Sequence, residues 1–159
     1  MKTLVLGLGN PILSDDGVGI RVAQELKNSL DPAEVTVMEA SIAGLDFLDL
    51  LTPYDRAIII DAIQTRGGKA GEIHRLEPET FVATRHASSP HDVNFATALE
   101  LGRRLGIPLP RQIVIYGIEV ADVTTFSERC TPEIEQIVPV VVDMVRQELA
   151  EGPRVLLKQ

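Results

Sequence analysis

The sequence predicts a three-layer α/β/α domain, in which a five-stranded, largely parallel sheet is covered by helices on both faces. Short β-branched runs alternate with amphipathic segments along the chain, the pattern of strand-helix-strand units. The run Ala57-Ile58-Ile59-Ile60 is apolar throughout, as a strand buried on both faces must be. A length of 159 residues is enough to bury a full core without disulfide or metal staples, so 1–159 is read as a single domain.

Five strands are expected: Thr3 to Leu8, Val35 to Met38, Ala57 to Ile60, Glu72 to Leu76 and Ile113 to Tyr116. After Gly17, the residues Val18, Val22, Leu26 and Leu30 recur at i+4, which predicts a helix ended by Asp31-Pro32. A second helix is expected from Asp92 to Leu105, closed by Gly106-Ile107-Pro108. Thr131-Pro132 supplies a cap residue followed by proline at the first helical position, opening a last helix that should run to about Glu151. The apolar spacing of Ile134, Ile137, Val138, Val141 and Val145 continues across Pro139, so one kinked helix is expected there rather than two.

Composition narrows the function. Hydrophobic residues make up 45% of the chain, but no uninterrupted apolar stretch approaches the roughly 20 residues of a membrane span. The amino terminus runs directly into a strand pattern, and the one cysteine, Cys130, has no partner for an intrachain disulfide; both point to a reducing, cytoplasmic setting. A net charge of -8 argues against nucleic acid as a partner, because phosphate backbones are held by clustered Lys and Arg.

In open α/β sheets, ligands bind beyond the carboxyl ends of the strands. Three segments should reach that edge. The first strand empties into Gly7-Leu8-Gly9-Asn10-Pro11, and Ser14-Asp15-Asp16-Gly17 then opens the first helix. Either acid taken alone reads as a helix cap, but one cap needs only one acid. The third strand ends in Ile60-Asp61-Ala62, which puts a carboxylate where a dry strand emerges and requires a cation, a metal or several donors to hold it. His91, in Ser89-Pro90-His91-Asp92, precedes the second long helix and faces the same edge. Two carboxylates and an imidazole from separate loops form a mixed oxygen and nitrogen site suited to Zn, Ni, Mn or Fe, with positions left open for substrate. His86 is a second choice for the imidazole; His74 falls inside a strand.

Other chemistries lack their residues. The glycine loop has Ile12 where a dinucleotide fingerprint needs its third glycine, and no Gly-x-x-x-x-Gly-Lys loop or Gly-x-Ser-x-Gly elbow occurs. Ser88 and Ser89 adjoin His91 in sequence, which does not make a nucleophile-base pair. Cys130 stands ahead of a helix N-terminus, where a thiol can be activated, although a small buried filler is the commoner role.

Gly7-Leu8-Gly9-Asn10-Pro11-Ile12-Leu13-Ser14-Asp15-Asp16-Gly17-Val18-Gly19, Ile59-Ile60-Asp61-Ala62 and Ser89-Pro90-His91-Asp92 together resemble the hydrogenase maturation proteases, over nearly the whole chain and in the family's order. The resemblance implies a twisted sheet between two helical layers. It implies an endopeptidase that removes a C-terminal extension from the precursor of the large subunit of nickel-iron hydrogenase once nickel is inserted. Carried over by position, Asp16, Asp61 and His91 match the family's metal-contacting residues, with Asp15, Asn10 and Glu39 in support. Nickel would then be borne by the substrate, and Zn or Cd could occupy the site in vitro. One departure is visible: where the family often has Asp followed by Gly-Gly-Thr, this chain has Glu39 followed by Ala40-Ser41-Ile42. Two other readings use the same residues. Peptidyl-tRNA hydrolase also opens with a strand and Gly-Leu-Gly-Asn-Pro, but its catalytic histidine follows closely, whereas Arg85-His86 here lies far downstream. A non-catalytic metal-sensing module would need only the three ligands.

Overall fold

Ten segments of regular structure are described in the computed structural model, which covers residues 1–41, 46–83 and 98–153. In chain order they are β1 (Thr3–Leu8), α1 (Val18–Lys27), β2 (Val35–Ala40), α2 (Asp46–Leu51), β3 (Arg56–Ile63), β4 (Ile73–Leu76), α3 (Pro78–Ala83), a helix over 98–104 (α4), β5 (Gln112–Glu119) and α5 (Pro132–Glu151). A 3-10 turn, Ser14–Gly17, leads into α1.

The strands form one sheet in the order β2-β1-β3-β5-β4. The pairs β1·β2, β1·β3 and β3·β5 are parallel, and only the edge strand β4 runs antiparallel, against β5. Strand alternation divides the core in two. Val5, Ile58, Ile60, Val114 and Ile118 face α1 and α5, where they meet Val18, Val22, Leu26, Ile134, Val138 and Val141. Leu4, Leu6, Ile59, Ile63, Ile113 and Ile115 face the other way, onto Leu48 and Leu51 of α2 and Ala98 and Leu99 of α4. This is the expected three-layer arrangement. Burying a Leu or Ile side chain stabilises a fold by about 1.5 to 3 kcal/mol, so both faces are well anchored.

All five expected strands are present, and several are longer than expected. β3 does not stop at Ile60: it continues through Asp61 to Ile63, because β5 pairs with it that far, Asp61 opposite Gly117. α5 is a single helix with Pro139 inside it, as the apolar spacing requires. The helix expected from Asp92 is described only over 98–104, and Gly106 closes it with a φ of 71°. α2 and α3, each six residues long, were not expected.

Long-range ion pairs fasten the layers. Arg21 of α1 donates from Nε and Nη2 to Glu135 of α5, both at 3.1 Å, which raises the Arg21 pKa and lowers that of Glu135. At the amino edge of the sheet, Arg75 of β4 donates to buried Glu148 of α5 at 2.6 and 3.0 Å. Arg56, at the start of β3, reaches the Glu148 carbonyl at 2.7 Å and the Gly152 carbonyl at 3.4 Å, a cation placed on the last turn of α5. Among the described residues, no helix is long and apolar enough to cross a membrane.

Candidate functional site

β1 leads through α1 to β2 on one side of it, while β3 lies on its other side, so the chain reverses direction between β1 and β3. A crevice opens at the carboxyl ends of strands at such a reversal. The chain needs glycine to build this one. A Cβ on Gly19 would stand 2.3 Å from the Ile60 carbonyl oxygen and 2.5 Å from that of Leu8, so only glycine lets the first turn of α1 rest on the ends of both strands. Gly9 has a φ of 148°, and a Cβ there would stand 2.0 Å from the Asp16 carbonyl oxygen.

Asp16 lies beyond the carboxyl end of β1 and Asp61 near that of β3. Asp16 sits in the 3-10 turn beyond β1 and is 6% exposed; its Oδ2 accepts the Asn10 backbone N–H at 3.0 Å. Asp61 lies near the carboxyl end of β3 and is 5% exposed. It shares the side-chain parity of Ile59 and Ile63, so it points toward the α2 and α4 layer. Asp16 and Asp61 are both nearly buried carboxylates, hard oxygen donors of the type that suits a divalent cation. Asn10 supports the turn in two ways: its Oδ1 accepts the Ile12 N–H at 3.2 Å, and its backbone N–H meets Asp16.

The remaining candidates fall in different places. Asp15 makes no contact with solvent and does not cap α1. Its two oxygens accept the backbone N–H groups of Ala121, Asp122 and Thr131 at 3.2, 3.0 and 2.6 Å, so it is held by the connection between β5 and α5. Glu39 pairs in register with Gly7, which places it on the α1 face, and its carboxylate lies 3.4 Å from Lys27 Nζ. Asp61 points to the opposite face. His74 is in β4, as the sequence indicates, with Nε2 3.5 Å from Glu119 and 3.6 Å from Glu72. Glu119 is itself buried and is bonded by the Thr65 N–H and hydroxyl. His91 and His86 lie outside the described residues, together with Ser88 and Ser89. Among the described residues, no three His, Cys, Asp or Glu side chains are grouped to hold a metal.

Cys130 is a filler and not an activated thiol. Burial, with Glu135 and Asp15 nearby, pushes its pKa up to about 12, and its Sγ donates to the Ser14 carbonyl at 3.7 Å. A protonated thiol is neither nucleophile nor metal ligand. What sequence reasoning missed is the pair of segments that hold Asp15, at Ala121-Asp122 and Thr131. Only the fold brings them beside it.

Comparisons with known proteins agree with the fold. Residues 20–148 match the family model described as hydrogenase maturation protease. The Hydrogenase 2 maturation protease of Escherichia coli (strain K12) is 28% identical over 154 residues, 96% of this chain and 93% of that protein. The solved structure of the hydrogenase maturating endopeptidase HybD from E. coli superposes with a TM-score of 0.85 at 27% identity, covering 96% of this chain and 94% of that one. The fold is shared with the [NiFe] hydrogenase maturation protease HybD from Thermococcus kodakarensis, at a TM-score of 0.71 and 24% identity over 92% of this chain and 98% of that chain. With a family match across most of its length, the chain belongs to the hydrogenase maturation protease family.

Proposed function

We propose that the protein is the endopeptidase that removes the C-terminal extension from the precursor of a nickel-iron hydrogenase large subunit after nickel insertion. In this reading Asp16, Asp61 and His91 engage the nickel that the precursor carries. The observation that supports it most is the family match across most of the chain, in which Asp16 and Asp61, each more than nine-tenths buried, stand beyond the carboxyl end of β1 and near that of β3. Carboxylate oxygens are hard donors that suit a divalent cation, so a substrate-borne nickel ion is a ligand they can accept alongside an imidazole.

The reaction is hydrolysis of one peptide bond. Water adds its oxygen to the scissile carbonyl carbon, the C–N bond breaks, the mature subunit gains a carboxylate, and the released extension takes a proton on its new amine. The protein's contribution is positional. Ligation through the two carboxylates and the imidazole fixes the precursor so that the neighbouring peptide is held for attack, a proximity that a free peptide lacks.

Asp61→Asn tests this reading, since it keeps shape and removes charge. Processing of nickel-loaded precursor should be abolished with the fold intact. Full activity of the variant, with a stability change of only about 1 kcal/mol, would show that the carboxylate is an ordinary hydrogen-bonding group.

A further inference from the structure

The turn that carries Asp16 is fastened to the connection between β5 and α5 at successive residues. Ser14 donates its N–H to the Ser127 carbonyl at 2.9 Å, and its own carbonyl receives the Cys130 thiol. Asp15 donates its N–H to the Asp122 carbonyl at 2.9 Å. The Asp15 carboxylate then accepts the three backbone N–H groups of Ala121, Asp122 and Thr131, and the Thr131 hydroxyl lies 3.0 and 3.1 Å from its two oxygens.

The arrangement at Thr131 is not the one that helix stability alone would select. Threonine at an N-cap ordinarily bonds the second or third N–H of its own helix. Here it makes no such bond, although it is the N-cap residue of the 20-residue α5, because its hydroxyl is turned to Asp15. The helix is capped from outside by a carboxylate 116 positions away in sequence, and the positive end of the α5 dipole favours that charge. Ser14 is buried with a φ of 48°, a conformation that non-glycine residues adopt only where surrounding contacts over-determine it.

We infer that Asp15 and Thr131 are positioning residues for Asp16. The clamp fixes the 3-10 turn against the β5–α5 connection, and the Asn10 N–H fixes the Asp16 carboxylate within it, so Asp16 meets its substrate without reorganising. The inference rests on the reading of Asp16 as a site residue given above.

The test compares Thr131→Val, Thr131→Ser and Asp16→Asn in the full chain, with nickel-loaded precursor as substrate and circular dichroism to confirm folding. Misplacement of a site residue by about 1 Å costs on the order of a hundredfold in rate. Thr131→Val is therefore expected to lower kcat about tenfold to a hundredfold with KM unchanged, and Thr131→Ser, which restores the hydroxyl, to recover it. Thr131→Ala carries the same measurement should the valine variant not fold. If Asp16→Asn is inactive while folded Thr131→Val keeps wild-type kcat, the positioning role is wrong and the clamp is structural only. If Asp16→Asn is itself fully active, the reading of Asp16 as a site residue fails instead.

Discussion

The backbone N–H of Asn10 donates to Oδ2 of Asp16 at 3.0 Å, which closes the glycine-rich loop after β1 onto the carboxylate to which it leads. That closure depends on how near α1 comes to the sheet. Gly19→Ala would drive a methyl group into the carbonyl oxygens of Ile60 and Leu8, both backbone atoms that cannot swing aside. Overpacking of this kind costs about 1 to 3 kcal/mol. Denaturant unfolding should show a loss in that range, and cleavage by the folded fraction should fall as well, because the displaced turn carries Asp16. A Gly19→Ala variant of wild-type stability and activity would contradict the close packing.

Glu148→Ala should separate stability from function. It removes the only carboxylate between Arg75 and Arg56 that the described contacts show, and it leaves two guanidinium groups facing each other at the amino edge of the sheet. Breaking a buried ion pair from one side costs about 3 to 5 kcal/mol. The proposed site lies at the opposite, carboxyl edge, so the activity of molecules that remain folded should be unchanged. Unfolding curves and kcat measured well below the new midpoint check both halves.

The Cys130 thiol, pushed from its ordinary 9.0 up to about 12, makes a prediction about pH. The folded state holds this proton more tightly than the unfolded state does. The stabilisation is therefore complete below about pH 9 and is lost as pH rises from there toward 12, with a slope of at most about 1.4 kcal/mol per pH unit from this group. Cys130→Ala should remove that part of the slope when unfolding is measured across the range. At pH 7 to 8, iodoacetamide should leave Cys130 of the native protein unmodified and its activity intact.

Much of the architecture is legible in the sequence because burial writes it there. The continuous run of β3, the i+4 spacing of α1 and the Thr131-Pro132 opening of α5 are each observed, although α1 stops at Lys27, one turn short of the expected end at Asp31-Pro32. α2 and α3 are too short for helical periodicity to show, and the antiparallel direction of β4 is set by its pairing with β5, which no local pattern encodes. The carboxyl-edge rule selects Asp16 and Asp61, which stand beyond the end of β1 and near the end of β3. It does not separate Asp15 from Asp16, because the donors that bind Asp15 come from residues 106 to 116 positions away. Glu39 shows a related limit: its face of the sheet follows from register with Gly7, which the sequence alone does not supply.

The most direct test of nickel-gated recognition is cleavage of matched precursor prepared with and without nickel, in the presence of a chelator too weak to strip the inserted ion, with release of the C-terminal extension followed by mass spectrometry. The extension should leave only the nickel-loaded form, and generic peptides should remain intact. Equal cleavage of both forms would contradict recognition through substrate-borne nickel, and would point instead to a peptidase whose activity follows metal added to the enzyme itself.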